Sequence, residues 1–81
     1  MPTVLIIGGW RVVIYPNDHR PAHVHVIGGG CEAVFNLSED GPELRENHGF
    51  DSKALKRILA ELQGYQAHLI SQWEVIHGTN R

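Results

Sequence analysis

The feature that most constrains the fold is the alternation from Ala22 to Leu37, turned about the triple glycine Gly28-Gly29-Gly30. In an extended chain successive side chains point to opposite faces. Val24 and Val26 before the glycines, and Cys31, Ala33, Phe35 and Leu37 after them, therefore share one apolar face of a hairpin. With Gly28-Gly29 as a two-residue turn, Val26 is expected opposite Cys31 and Val24 opposite Ala33. The same pairing sets His25 opposite Glu32 and His23 opposite Val34. A four-residue turn keeps these faces. A one-residue slip would bring His23 and His25 among the apolar groups, which is costly without partners.

The remaining strands and the helix follow from local signals. Thr3 to Ile7 is a β-branched run closed by Gly8-Gly9, and Trp10 to Tyr15 reads as the strand returning from it. Pro16-Asn17-Asp18 reads as a turn. Strands are thus expected over about 3–7, 10–15, 22–27 and 31–37. Ser38 to Pro42 reads as a loop, and Glu43 to Asn47 fits either a fifth short strand or a helical turn. Asp51 then suits a helix N-cap, with Phe50 and Leu55 in the hydrophobic-staple positions. From Ser52 to about Ile76, apolar residues recur at Leu55, Ile58, Leu59, Leu62, Leu69, Ile70, Trp73 and Ile76, the spacing of one long helix. Gly64 inside it costs about 1 kcal/mol relative to Ala and marks a weak point or a close approach. Gly78 suits its end. The expectation is one α+β domain over residues 1–81, in two layers. An antiparallel meander of about four strands packs on one long C-terminal helix, with Leu62, Leu69 and Trp73 buried against Val24, Val26 and Phe35.

Size and charge limit the functions open to such a domain. A chain of 81 residues buries only roughly 60% of its unfolded surface, so a homo-oligomer or a companion subunit is expected. The formal net charge of −2 excludes a broad basic nucleic-acid surface but leaves room for a local cationic pocket. Cys31 is the one cysteine, which excludes an intrachain disulfide and reads as a small core residue. No apolar run reaches membrane-spanning length, and the N-terminus lacks a signal-peptide pattern. The expected location is cytoplasmic, with no membrane partner.

Polar chemistry concentrates in Asp18-His19-Arg20-Pro21-Ala22-His23-Val24-His25-Val26. His23 and His25, two apart on a strand, project from one face about 6–7 Å apart. That face is expected to lie away from the helix, and His19 on the preceding loop can fold back over it. Three roles stay open. In the first, His19, His23 and His25, with Glu32 beside them, hold zinc or another divalent transition metal. In the second, no cofactor is required: one imidazole acts as base and another as acid in cleaving a phosphodiester such as RNA, with Arg20 stabilising charge. Imidazole suits both tasks because its unperturbed pKa is about 6.5. In the third, His23 and His25 make ordinary hydrogen bonds to Glu32 and Asn36 on a half-exposed sheet surface, with no catalysis. Separately, Lys53, Lys56 and Arg57 crowd the first turns of the helix, after Arg45 and His48. They fit either an anion-binding helix N-terminus or a solvated face, and Asp51 as N-cap takes some of the amide donors. The triple glycine lacks the GxxxxGK[ST] pattern of a phosphate loop, so hairpin chemistry accounts for it.

These residues resemble the small bacterial proteins grouped as domain of unknown function family 4160. The resemblance is carried by Met1-Pro2-Thr3-Val4, Asn17-Asp18-His19-Arg20-Pro21 and His23-Val24-His25-Val26. It extends to Gly28-Gly29-Gly30 with Glu32-Ala33, to Asn47-His48-Gly49-Phe50 and to a terminal helix carrying Trp73. The chain departs from the family at Ala22, where a second proline is usual, and at Val34, where a lysine is frequent. The second departure removes a cation from beside His23. The resemblance implies a component of a small two-gene module of toxin–antitoxin type. Two functions fit that setting: binding a companion antitoxin-like protein through a strand edge or the helix, or toxin-type ribonuclease activity through His19, His23, His25 and Arg20.

Overall fold

Five strands form one antiparallel meander, and two helices cover one of its faces. The computed structural model describes residues 3–78; Met1 and Pro2 of the N-terminal motif, and residues 79–81, lie outside the described residues. The strands are β1 (Thr3–Ile7), β2 (Trp10–Val13), β3 (His23–Gly28), β4 (Cys31–Ser38) and β5 (Gly41–His48), side by side in chain order. The helices are α1 (Ser52–Gly64) and α2 (Gln66–His77).

The expected faces are present, and the expected register is off by two. Gly28 pairs with Cys31, Val26 with Ala33, His25 with Val34, Val24 with Phe35 and His23 with Asn36. A two-residue hairpin turn of the favoured hand needs positive φ at both central positions. Gly29 (φ 57°) and Gly30 (φ 78°) supply it, which leaves Gly28 to continue β3. A side chain at Gly28 would meet Trp10, because a Cβ there would lie 2.5 Å from the indole Cδ1. The glycine admits that ring.

Glu43–Asn47 belongs to a fifth strand, so the expectation of about four is corrected. Ser38 Oγ donates to the Gly41 carbonyl (2.7 Å) and Gly41 takes φ 117°, returning the chain directly from β4. No alternation announces β5 for two reasons. It is an edge strand with most of its side chains in solvent, and its ladder with β4 is broken where Val34 pairs with Glu46 but Phe35 with Leu44. Arg45 is the extra residue, and it interrupts the period of two.

The single long helix is also corrected. Tyr65 (φ −117°, ψ 14°) separates α1 from α2, and its N–H closes a tighter turn onto the Leu62 carbonyl (3.0 Å). A straight helix from Ser52 to Ile76 would run about 37 Å, beyond the roughly 26 Å of the longest strands. Breaking after Gly64 keeps both halves over the sheet. Gln66 then ties the start of α2 to the β4–β5 turn by donating to the Ser38 carbonyl (2.6 Å). Ile58 and Leu62 from α1, and Leu69 and Trp73 from α2, join Val12, Val24, Val26, Ala33, Phe35 and Leu37 in one apolar cluster. Asp51 caps α1 as expected, accepting from the Ala54 N–H (2.8 Å), and Phe50 is buried with Leu55 partly buried. No helix among the described residues is long and apolar enough to cross a membrane.

The opposite face is not bare. Val13 and Val34 are buried there, outside the helical cluster, and they flank His25 in the ladder from β2 to β4.

Candidate metal centre

The turn between β2 and β3 positions the residue that completes the site. Pro16, with its preset φ, occupies the second position of a β-turn in which the Asp18 N–H donates to the Tyr15 carbonyl (3.0 Å). The Tyr15 N–H donates back to Asp18 Oδ2 (3.2 Å). The carboxylate is therefore fixed by its own turn. It is held over the first residues of β3, where its Oδ2 lies 3.4 Å from His23 Nε2 and 3.2 Å from His25 Nε2.

The far nitrogen of each ring is already engaged. His23 Nδ1 lies 2.8 Å from the Pro21 carbonyl, which can only accept, so Nδ1 is the donor and carries the proton. His25 Nδ1 lies 3.0 Å from Glu32 Oε2, where an ionised carboxylate likewise only accepts. With the proton of each neutral ring on Nδ1, both Nε2 atoms present lone pairs to the Asp18 carboxylate oxygen; with its proton on Nε2 instead, His25 donates to that oxygen (3.2 Å). In the first of these tautomers three acceptor atoms, all within 4.8 Å of one another, converge with no hydrogen between them. Such a cluster requires a cation or added protons.

Two of the three separations suit a single ion, and the third, between the two Nε2 atoms, is no more than 4.8 Å. Zinc bonds of about 2.0–2.2 Å to nitrogen and oxygen place tetrahedral ligands about 3.3–3.6 Å apart, close to the separations of the Asp18 oxygen from both imidazole nitrogens. The outer partners match the usual support of a metal-binding imidazole, whose second nitrogen donates to a carboxylate or a backbone carbonyl. Here these are Glu32 and Pro21. Asn36, directly opposite His23, has a buried Oδ1 with no hydrogen-bond partner, a further acceptor that a ligand's donor would satisfy.

Ring packing sets the orientations. Tyr15 meets His25 edge-on at 4.8 Å, His25 meets His23 at 5.3 Å, and His23 lies 5.3 Å from Trp73. Trp73 in turn stacks on His77 at 3.8 Å. His23 is therefore only 6% exposed and packs against α2. This overturns the expectation of a half-exposed ring clear of the helix. As the first residue of β3, His23 touches both His25 and the helical layer.

The other expected site residues are distributed differently. His19 is exposed and outside the cluster of converging atoms; Asp18 stands in the place expected for it. From the sequence, Asp18 reads only as a turn former. The available signal was a carboxylate at the closing position of a proline turn, five residues before the first strand histidine. Arg20 is exposed in the same loop. Glu32 bonds His25 diagonally rather than from the opposed position. Lys53 and Lys56 are exposed, while the Arg57 guanidinium lies 5.7 Å from the Trp10 ring centroid. That contact gives Arg57 a packing partner, and Asp51 occupies an amide at the helix start. Cys31 is partly buried against the core, as a small core residue would be.

The model of the Domain of unknown function (DUF4160) matches the chain over residues 9–74. No curated protein and no solved structure matches it.

Proposed function

We propose that this chain, which belongs to the DUF4160 family, is a metal-dependent RNA-cleaving component of a small two-protein module of toxin–antitoxin type. The observation that carries the reading is the convergence of Asp18 Oδ2, His23 Nε2 and His25 Nε2 with both Nδ1 atoms already bonded outward. Three protein ligands are the number found where a metal keeps a position open for water or substrate, whereas structural zinc sites close with four. Such an ion supplies Lewis acidity to a phosphoryl oxygen and activates water near neutral pH.

The chain's own residues have separate tasks. Asp18 neutralises charge and, through its turn, fixes the direction of approach. Glu32 and the Pro21 carbonyl hold the two imidazoles in the ligating tautomer. Val13 and Val34, buried on either side of His25, keep water from competing at the base of the site. Arg20, exposed two residues after Asp18, supplies a cation for the phosphate of an incoming strand in this reading. RNA as the substrate and a companion protein as the partner come from the module role that the family resemblance implies. The metal is supported by the convergence of Asp18, His23 and His25.

One experiment separates these parts. Protein stripped with a chelator is titrated with Zn²⁺ and with Mn²⁺ by calorimetry, and RNA cleavage is followed on the same samples. The expected result is one ion per chain, cleavage only after loading, and neither in Asp18→Asn. Cleavage that ignores both chelator and Asp18→Asn would overturn the metal centre. Stoichiometric metal binding without cleavage would overturn the nuclease.

A further inference from the structure

β5 is an edge strand of eight residues, Gly41–His48, and its outer side is paired with nothing among the described residues. Residues 43–48 are all exposed, among them Leu44 at 48%. An edge of this length offers a row of free backbone donors and acceptors, which proteins ordinarily shorten, cover or guard with charges, proline or a bulge. β5 carries Pro42, the charges of Glu43, Arg45 and Glu46, and a bulge, so any pairing must suit that charge order. Here no lysine occurs in the strand, and the one proline, Pro42, stands at its start. Among the described residues, neither Glu43 nor Arg45 has an ion-pair partner within its own chain, and His48 bonds only Glu46 (3.2 Å).

The charge order and the bulge together identify an occupant. We propose that β5 pairs antiparallel with β5 of a second copy of this chain, with Glu43 opposite the partner's His48, Leu44 opposite the partner's Asn47 and Arg45 opposite the partner's Glu46. Two-fold symmetry repeats each pair, so four opposite-charge contacts form when His48 is protonated, and two when it is neutral. The faces agree as well. Through their partners on β4, Glu43 and His48 belong with Asn36 and Glu32 on the histidine side, while Leu44 and Asn47 belong with Phe35 and Ala33 on the helical side. Without the extra residue at Arg45, Glu43 and His48 would point to opposite faces and this pairing would be impossible. The bulge is thus what makes the strand self-complementary. Shifting the register by one residue in either direction sets histidine-side residues against helical-side ones. Shifting it by two toward the strand's start sets Glu43 against the partner's Glu46.

The product is a continuous ten-stranded sheet, from five strands in each copy, with both candidate metal centres on one face and all helices on the other. This interface is independent of the metal reading. It is also small beside the roughly 800 Å² per partner of a standard interface, so dissociation in the micromolar range is expected.

Sedimentation equilibrium of the full chain from about 1 to about 300 μM tests it, with circular dichroism as the control for folding. The wild-type chain should dimerise. Arg45→Glu sets like charges at two symmetric contacts, and Glu46→Arg does the same with the opposite sign. Each should weaken the dimer by about tenfold or more, and Arg45→Glu combined with Glu46→Arg should restore it. A wild-type chain that stays monomeric throughout, a dimer indifferent to Arg45→Glu and Glu46→Arg, or single variants not rescued by the exchange would each overturn the pairing. Amide exchange supplies a readout without substitution: β5 amides should gain protection with concentration, and protection gained elsewhere instead would overturn it.

Discussion

On the helical side of the sheet, Val24, Val26, Phe35 and Leu37 meet Ile58, Leu62, Leu69 and Trp73, and burial of apolar surface accounts for the packing. On the other side, Val13 and Val34 are also shut from water, yet between them stands His25, whose Nε2 converges with His23 Nε2 on the Asp18 carboxylate. The first face is complete as it stands. The second gathers ligand atoms whose mutual repulsion a bound cation or an added proton would offset. The comparison separates residues that make the fold from residues that use it, and it places Trp73 and His23 at the junction of the two sets.

The comparison breaks most severely at Trp73. Replacing it with Ala should cost about 3–5 kcal/mol in urea unfolding, because its ring is fully buried. Metal affinity should fall as well, since the His23 ring leans on that indole. A loss below about 1 kcal/mol would mean that the helical face does not depend on α2.

Asp18→Asn should separate the faces in the opposite sense. It removes a charged ligand, and the affinity for Zn²⁺ should drop by more than about 100-fold. The stability of the metal-free chain should stay within about 1 kcal/mol or rise, because an amide can donate to a lone pair that the carboxylate only repels. Strong destabilisation of the metal-free form would show that Asp18 serves the fold.

A milder change sharpens the same point from the outer shell. Glu32→Gln keeps the shape but not the charge beside His25 Nδ1, and calorimetry should report metal binding weakened about 10–100-fold. Unfolding midpoints of the metal-free protein should barely move.

The smallest effect is expected at the joint of the two helices. Gly64 has no positive φ, and a methyl group added at its Cα would meet nothing within 4 Å. Gly64→Ala should therefore raise stability by about 0.4–1 kcal/mol, read from thermal melting, without any change in metal affinity.

Much of the fold was legible because it rests on local periodicity. The alternation of Val24, Val26, Ala33, Phe35 and Leu37 determined which face of the hairpin is apolar, whatever the register. The spacing of Ile58, Leu62, Leu69 and Trp73 determined the stripe that covers it, and Asp51 marked where α1 begins. The strand carrying His23 and His25 was legible for the same reason: side chains two apart share a face.

What the tertiary structure decided lies wherever one segment supplies what another lacks. Glu43–Asn47 has no period of its own and becomes a strand because β4 offers it a ladder. The apolar stripe runs through Gly64 without a break, and the chain bends at Tyr65 because the sheet beneath is shorter than a straight helix. His23 looks like a surface residue until α2 brings Trp73 against it. Asp18, rather than His19, reaches the histidines because a proline turn folds its carboxylate back over β3. Side-chain direction along one strand is a consequence of covalent geometry and sterics. The meeting of atoms from a turn, a strand and a helix depends on how those elements pack, and a period of two or 3.6 does not carry that information.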